Sequence, residues 1–480
     1  MKVVRSASRT LGVAALLVLV AWATPAARQP GAAMRPLARE ILKQLIETNT
    51  TLSSGNTTQA SERMAARLIT AGFPRADVVV VGGPDHRRNL VARLRGRAGG
   101  GRPVLFFAHL DVVEARREDW SMDPFVLTER DGWFYGRGTL DVKGGAATLV
   151  TAFCALRQRG VVPERDLILA LTADEEGGPD NGIQWLLANR RDLIDAAYAI
   201  NLDSGGPEIR GGRVSALTVQ AAEKVYASFT LTVRNPGGHS SLPVAENAIY
   251  RLAAGLQRLA PLVLPTRTSE ITRAYFAAQA ALASGPDAAD MRAVSLLPTD
   301  EAAARRLSAA SPFYNAMLRT TCVPTLLDGG HAENALPQTA RATINCRMLP
   351  DEKPADVLQA LVRAVADPQI EVAPIGTPTP SPPSPLARDV VSVIEGAAQA
   401  TWGRVPIVPI METGATDGLY LRNAWIPVYG VTGIAYDPDD VRAHGRDERI
   451  LVRSFDEGVA FMERLTDAIG RTTVAPSGAR

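Results

Sequence analysis

A chain of 480 residues is too long for one hydrophobic core of ordinary size, so at least two domains are expected. Apolar residues make up 46% and charged residues 21%, which excludes a disordered or fibrous protein. The formal net charge of +2 leaves no basic footprint for a nucleic-acid partner.

Lys2, Arg5 and Arg9 precede an apolar run over 11–23, with small residues at Ala21, Ala23 and Ala26. That order is the charged, apolar and cleavable sequence of a secretory signal peptide, expected over 1–26. The run is shorter than the ~20 apolar residues a membrane span needs, so an exported chain, periplasmic or secreted, is expected rather than an anchored one. Cleavage removes three positive charges and no negative one, taking the formal charge from +2 to −1.

Beyond it, Leu37, Ile41, Leu42, Leu45 and Ile46 recur with helical spacing. Apolar runs at 103–108, 167–172 and 198–202 read as strands, and 144–159 and 181–191 between them as helices. Buried strands alternating with helices predict a mostly parallel sheet covered on both faces. Near 222 the period changes: Phe229, Leu231 and Val233 alternate with Thr230, Thr232 and Arg234, a strand with one wet face. Helix 244–259, strands 321–327 and 341–349, helix 355–365 and strand 370–373 complete a β-α-β-β-α-β order, which suits a small open sheet with helices on one side. An alanine-rich helical insertion, roughly 263–318, falls inside it. After the proline-rich 377–386, strands 405–410 and 426–431 and helix 452–469 resume the first pattern. The expectation is a discontinuous α/β catalytic domain over 27–221 and 377–480, interrupted by a smaller α+β, ferredoxin-like domain over 222–376.

Of three cysteines, none has zinc-ribbon spacing; Cys322 and Cys346 lie on two predicted strands and are candidates for a bridge, while Cys154 lies in a helix. Only five histidines occur. His109 and Asp111 form H-x-D just after a buried strand, where an imidazole can bind a metal while a carboxylate takes its other N–H. Asp141 lies in GRGTLDVKGG, at a helix start where an N-cap is the ordinary role. Glu175 and Glu176 follow another strand in TADEEGG, and Asp203 follows a third in NLDSGG. Adjacent acids repel unless a cation is near, so one glutamate can ligate while the other works as a base. Mixed nitrogen and oxygen donors without thiolate suit zinc, with cobalt or manganese as alternatives.

Together, HLDVV, GRGTLDVKGG, TADEEGG, NLDSGG, NPGGHSS and a late His444 resemble the co-catalytic metallopeptidase family of glutamate carboxypeptidase, aminoacylase, succinyl-diaminopimelate desuccinylase and carnosinase-type dipeptidases, from about residue 36 to the end. The resemblance implies two divalent metals bridged by Asp141, with His109 and Asp203 completing one site and Glu176 and His444 the other. It implies Glu175 as general base, Asp111 as the residue that orients His109, and His239 as oxyanion donor reaching across a homodimer formed by the smaller domain. Asn334 in HAENALP and Arg347 in NCRMLP match substrate-holding positions, and 413–418 (TGATDG, with Asp417) matches a pocket-lining loop. His86 and His331 fall outside the motifs and read as structural or surface residues. The implied activity is cleavage of an amide or peptide bond beside a free carboxylate, in a small peptide or an N-acyl amino acid. Carboxypeptidase or dipeptidase activity and N-acyl-amino-acid deacylation or desuccinylation share this chemistry. A metal-dependent binding protein would be marked by loss of the base, and both glutamates are present.

Overall fold

The computed structural model describes residues 31–473, so the expected signal segment lies outside the described residues. Its largest element is a nine-stranded sheet. From one edge inward, Val78–Val81, Asn89–Leu94 and Leu167–Thr172 are followed by Val104–His109 and Tyr198–Asn201. Val428–Gly430, Arg213–Glu223 and Ile407–Glu412 continue to the other edge, with Gly206–Arg210 paired to Arg213–Glu223. Val104–His109 lies parallel to both Leu167–Thr172 and Tyr198–Asn201, and that central trio is buried end to end. The sheet as a whole is mixed: Asn89–Leu94 and Arg213–Glu223 join it through antiparallel pairings to Leu167–Thr172 and Val428–Gly430.

Continuous apolar runs form the centre because both faces are covered. Phe106, Leu169 and Ile200 pack against Phe153 and Leu465 on one face, and Leu105, Phe107 and Ile168 against Ile183, Leu186 and Leu421 on the other. The strand's period of two sends neighbours to opposite cores.

A second sheet has the order Thr321–Gly329, Thr339–Met348, Val225–Arg234, Ile370–Ile375, all antiparallel. Phe229, Leu231 and Val233 point into its core, with helices Ala248–Leu259 and Pro354–Val365 packed on that face. Cys322 and Cys346 are register partners on adjacent strands and form a disulfide; Cys154 is free and buried.

The helical insertion does not enlarge this small domain. Glu270–Leu282, Pro286–Val294, Glu301–Ala310 and Pro312–Leu318 dock Ile271, Phe276, Met291 and Leu307 onto Ala216, Ala221, Val408, Ile410 and Met411 of the large sheet. Ser269, Asp300 and Ser311 cap three of these helices with side-chain oxygens, so local signals define the helices well. Periodicity shows that a helix has an apolar face and not which surface that face meets. Lys224, between the two sheets, is fully buried and donates to the carbonyls of Ala316 at 2.9 Å and Arg319 at 2.8 Å. Burial pushes its ammonium down to about 7.

Candidate metal centre and active site

Because the three central strands run parallel, their carboxyl ends converge on one edge. His109 ends its strand opposite Thr172, and the chain reaches Glu175 and Glu176 three and four residues beyond that pairing. Phe107 pairs with Asn201, which brings Asp203 to the same edge. Asp141 arrives on the turn before helix Lys143–Gln158. That helix has Val142 at its N-cap position with no side-chain cap, so the Asp141 carboxylate is not used as a cap. Gly144 makes the turn feasible: a Cβ there would meet the Thr139 carbonyl at 2.2 Å.

Two donor triads result. His109, Asp141 and Asp203 form one, and Asp141, Glu176 and His444 the other; within each, the ligating atoms lie within 4.8 Å of one another. The two oxygens of Asp141 face different imidazoles. Oδ1 is 3.1 Å from His109 Nε2, and Oδ2 is 3.1 Å from His444 Nε2. His109 Nε2 is also 3.5 Å from Asp203 Oδ1, and His444 Nε2 is 2.9 Å from Glu176 Oε1. A carboxylate presenting one oxygen to each of two nitrogen-and-oxygen triads fits a pair of divalent cations sharing a bridge.

The protonation pattern fits as well. Burial pushes Asp203 up to about 7, and burial with Asp203 nearby drives Glu175 well above its ordinary value. Burial opposes charge on His109, but Asp203 and Asp141 outweigh it and raise its pKa. Hydrogen bonds to Asp141 and Glu176 raise His444 to about 10. Burial disfavours charge on Asp141 too, yet hydrogen bonds from His109 and His444 hold its pKa below the usual carboxylate range. Clustered acids competing for cationic neighbours are a donor set suited to added positive charge.

Asp111 acts differently from the expected imidazole–carboxylate pair. His109 Nδ1 donates to the backbone carbonyl of Asp111 at 3.0 Å, while the nearer carboxylate oxygen stands 3.7 Å away. That bond leaves the Nε2 lone pair for a metal. The Asp111 carboxylate instead accepts the backbone N–H of Glu176 at 2.9 Å and so fixes a ligand loop. Glu175 is half-buried, and among the described residues no side chain hydrogen-bonds its carboxylate. A cleft of about 420 Å³ opens beside Asp111, Glu176 and His444, with Leu52, Val112 and Val113 as an apolar wall.

Several contributors, namely Asp174, Arg87, Arg137 and Glu448, lack a sequence signature. Asp174 sits in the left-handed region (φ 60) and is held by Arg87, whose Nη1 lies 2.9 Å from both carboxylate oxygens. It turns the chain so that Glu175 and Glu176 follow. His444 has the same backbone conformation (φ 61). Asp417 is buried rather than facing open cleft: it accepts from Asn181 Nδ2 at 2.5 Å and from the Thr172 hydroxyl at 3.3 Å, and burial pushes it up to about 7. Arg137 and Glu448 form a buried ion pair at 2.7 Å behind Asp141.

The remaining candidates sit on the smaller sheet and its margin. His239 is exposed; it pairs with Ala335 across a two-residue ladder, and Ser240 N donates to the Asn334 carbonyl at 3.0 Å, so His239 and Asn334 are neighbours. Among the described residues, the His239 ring bonds only Ser241 and touches neither triad. Arg347 is half-buried, its guanidinium 4.7 Å from the Tyr226 ring centroid, and no carboxylate among the described residues pairs with it. Tyr226 itself carries no signature in the sequence. His86 and His331 are exposed and belong to neither triad.

A mixed α/β sheet whose central strand ends carry two carboxylate-bridged donor triads defines a metal-dependent hydrolase of the metallopeptidase type. The chain belongs to peptidase family M20/M25/M40, whose sequence pattern matches residues 105–468. It is 29% identical over 446 residues to the human N-fatty-acyl-amino acid synthase/hydrolase PM20D1, covering 89% of this chain and 86% of that one. Its fold is similar to the metallo-carboxypeptidase Sso-CP2 from Sulfolobus solfataricus, at a TM-score of 0.68 and 17% identity over 90% of this chain and 99% of that one. Human carnosine dipeptidase 1 superimposes at 0.67 and 18% identity, over 92% and 97%.

Proposed function

We propose that this chain hydrolyses an amide bond adjacent to a free carboxylate. The observation that carries this reading is Asp141 shared between two donor triads beside Glu175, a carboxylate that no side chain among the described residues hydrogen-bonds. His109, Asp203 and Asp141 Oδ1 would hold one divalent ion, and Glu176, His444 and Asp141 Oδ2 the other; zinc suits these donors best. Divalent ions held by these residues would supply Lewis-acid polarisation of a carbonyl and a bound water with its pKa lowered toward ~7. Glu175 takes the proton of the attacking water and delivers it to the leaving nitrogen, a role that contributes ~10²–10⁴-fold. His239 donates to the oxyanion. Arg347, stacked on Tyr226, clamps the substrate carboxylate, with Asn334 beside His239 holding the chain.

Within this class, carboxypeptidase or dipeptidase action and release of an acyl group from an N-acyl amino acid use the same groups. The apolar wall of Leu52, Val112 and Val113 and the extent of similarity to an N-fatty-acyl-amino acid hydrolase favour acyl amino acids as the second reading. Homodimerisation through the smaller domain, over 222–376, is supported by the outermost strand Thr321–Gly329, where Val323, Leu326 and Leu327 are 55%, 68% and 72% exposed. In such a dimer, as the family resemblance implies, His239 would serve the partner's site. Export is supported by the Cys322–Cys346 bridge, a bond suited to an oxidising compartment.

The test is hydrolysis of C-terminal dipeptides, their amidated forms, N-acetyl and N-fatty-acyl amino acids, with metal content measured on the same sample. The expected result is turnover of free carboxylates only, lost on chelation. Glu175→Gln should retain the metals and lose ~10²–10⁴-fold in kcat. Equal turnover of amidated substrates removes the Arg347 clamp from the reading, and full activity of Glu175→Gln removes the base.

A further inference from the structure

Glu448 is fully buried, and each of its two oxygens accepts two hydrogen bonds. Oε2 takes Arg137 Nη1 at 2.7 Å and Gly138 N at 3.1 Å; Oε1 takes Leu140 N at 2.7 Å and Asp141 N at 3.1 Å. One carboxylate thus gathers the backbone of the turn that carries Asp141. Arg137 completes the connection from the other side. Its Nη2 donates to the carbonyls of His444, at 3.3 Å, and Gly445, at 3.0 Å, and its guanidinium lies 5.0 Å from the Trp120 ring centroid. The pair therefore binds the backbone amide of one ligand and the backbone carbonyl of another, each contact spanning a sequence separation of 307.

We infer that the Arg137–Glu448 pair is the positioning device that sets His444 against Asp141, and so determines whether the Glu176–His444 site can hold its metal. This rests on the two-metal reading above. The first triad takes His109 and Asp203 from the ends of rigid central strands. The second takes His444 from an irregular segment with left-handed backbone, whose registration with Asp141 depends on side-chain braces. Both triads share Asp141, but only the second also needs His444.

The chemistry of the brace makes the test sharp. A glutamine at 448 presents an NH2 group to a pair of donors whichever way it is turned, because both oxygens are occupied by N–H groups. Arg137→Lys keeps the charge and loses the fork that spans Glu448 and the two carbonyls. The probe is Co²⁺ titrated into the metal-free full-length protein, followed by calorimetry and by the cobalt absorption spectrum. Wild type should take up two equivalents. Glu448→Gln and Arg137→Lys should bind the first with little change and the second ~10–100-fold more weakly, the range typical of lost outer-sphere partners. The metal-free far-UV circular dichroism should stay unchanged. Should Glu448→Gln fail to fold, Arg137→Lys decides alone. Wild-type affinity for both equivalents in the variants, or equal weakening of both, overturns the inference. Fewer than two equivalents in the wild type overturns the two-metal reading itself.

Discussion

Replacing Cys322 with alanine breaks the bridge to Cys346 while disturbing packing little. Cys322 is only half-buried, and Cys346 stays behind as a thiol in its fully buried slot, where it behaves as a small hydrophobe. The bridge spans a sequence separation of 24, for which the chain-entropy relation gives about 3.5 kcal/mol. All six tryptophans (22, 120, 133, 185, 402 and 425) lie outside 225–375, so their fluorescence reports poorly on the small sheet. Amide hydrogen exchange along Thr339–Met348 reads it directly, since this strand has a hydrogen-bonded neighbour on each side. If the small sheet opens as one unit, about 3.5 kcal/mol corresponds to a loss of protection of ~10²–10³-fold there, with amides of Val104–His109 unaffected. The denatured, unreduced wild type should titrate one thiol, Cys154, and the variant two. Protection unchanged within about threefold would refute the entropic reasoning. Three thiols in the wild type would refute the bridge itself.

Two other outcomes test the remaining assignments. His239→Ala should lose at least ~10²-fold in kcat with KM little changed. Mixing it with Glu175→Gln should restore about a quarter of wild-type turnover, because half the dimers are mixed and each has one complete site; no recovery would place His239 outside any partner's site. Lys224→Met tests the buried ammonium. Its pKa in the folded protein, about 7, lies below the usual 10.5, so the unfolded protein binds the extra proton between those values and stability rises with pH across that window. The wild-type-minus-variant stability should climb by up to ~1.4 kcal/mol per pH unit there, and a flat difference would refute a proton-linked Lys224.

Much of this arrangement can be read from the sequence for a physical reason. Strands 104–109, 167–172 and 198–201 announce themselves as unbroken apolar runs, and acids or a histidine follow each one at once. Parallel neighbours must then present those residues along one edge. The same logic does not reach Arg137, Glu448, Arg87 or Asp174, which are ordinary charged residues until distant segments meet. Val78–Val81 is a short β-branched run and 217–221 alternates Leu, Val and Ala with Thr and Gln, so both carry strand signals, but nothing in either pattern shows that Val78–Val81 is a half-buried edge or that Thr218 and Gln220 are buried as deeply as their apolar neighbours. The H-x-D spacing makes Asp111 legible as a neighbour of His109, but which of its oxygens meets the ring depends on a backbone turn that spacing does not encode.

Docking of the insertion helices onto the large sheet has a mechanical consequence. A domain inserted once would be joined to its host by two connections, around which it can swing as on a pair of parallel pins. Here the polypeptide leaves the large sheet at Lys224, returns to it after Leu259 with Glu270–Leu282, leaves again past Leu318, and comes back beyond Ile375. Any rotation of one sheet against the other must bend all four tethers together, and Lys224 ties the first of them to the third through the carbonyls of Ala316 and Arg319. The small sheet is thus restrained against the large one at four points, and on the proposed reading the separation of Arg347 from the two donor triads would set the length of substrate between its carboxylate and its scissile bond.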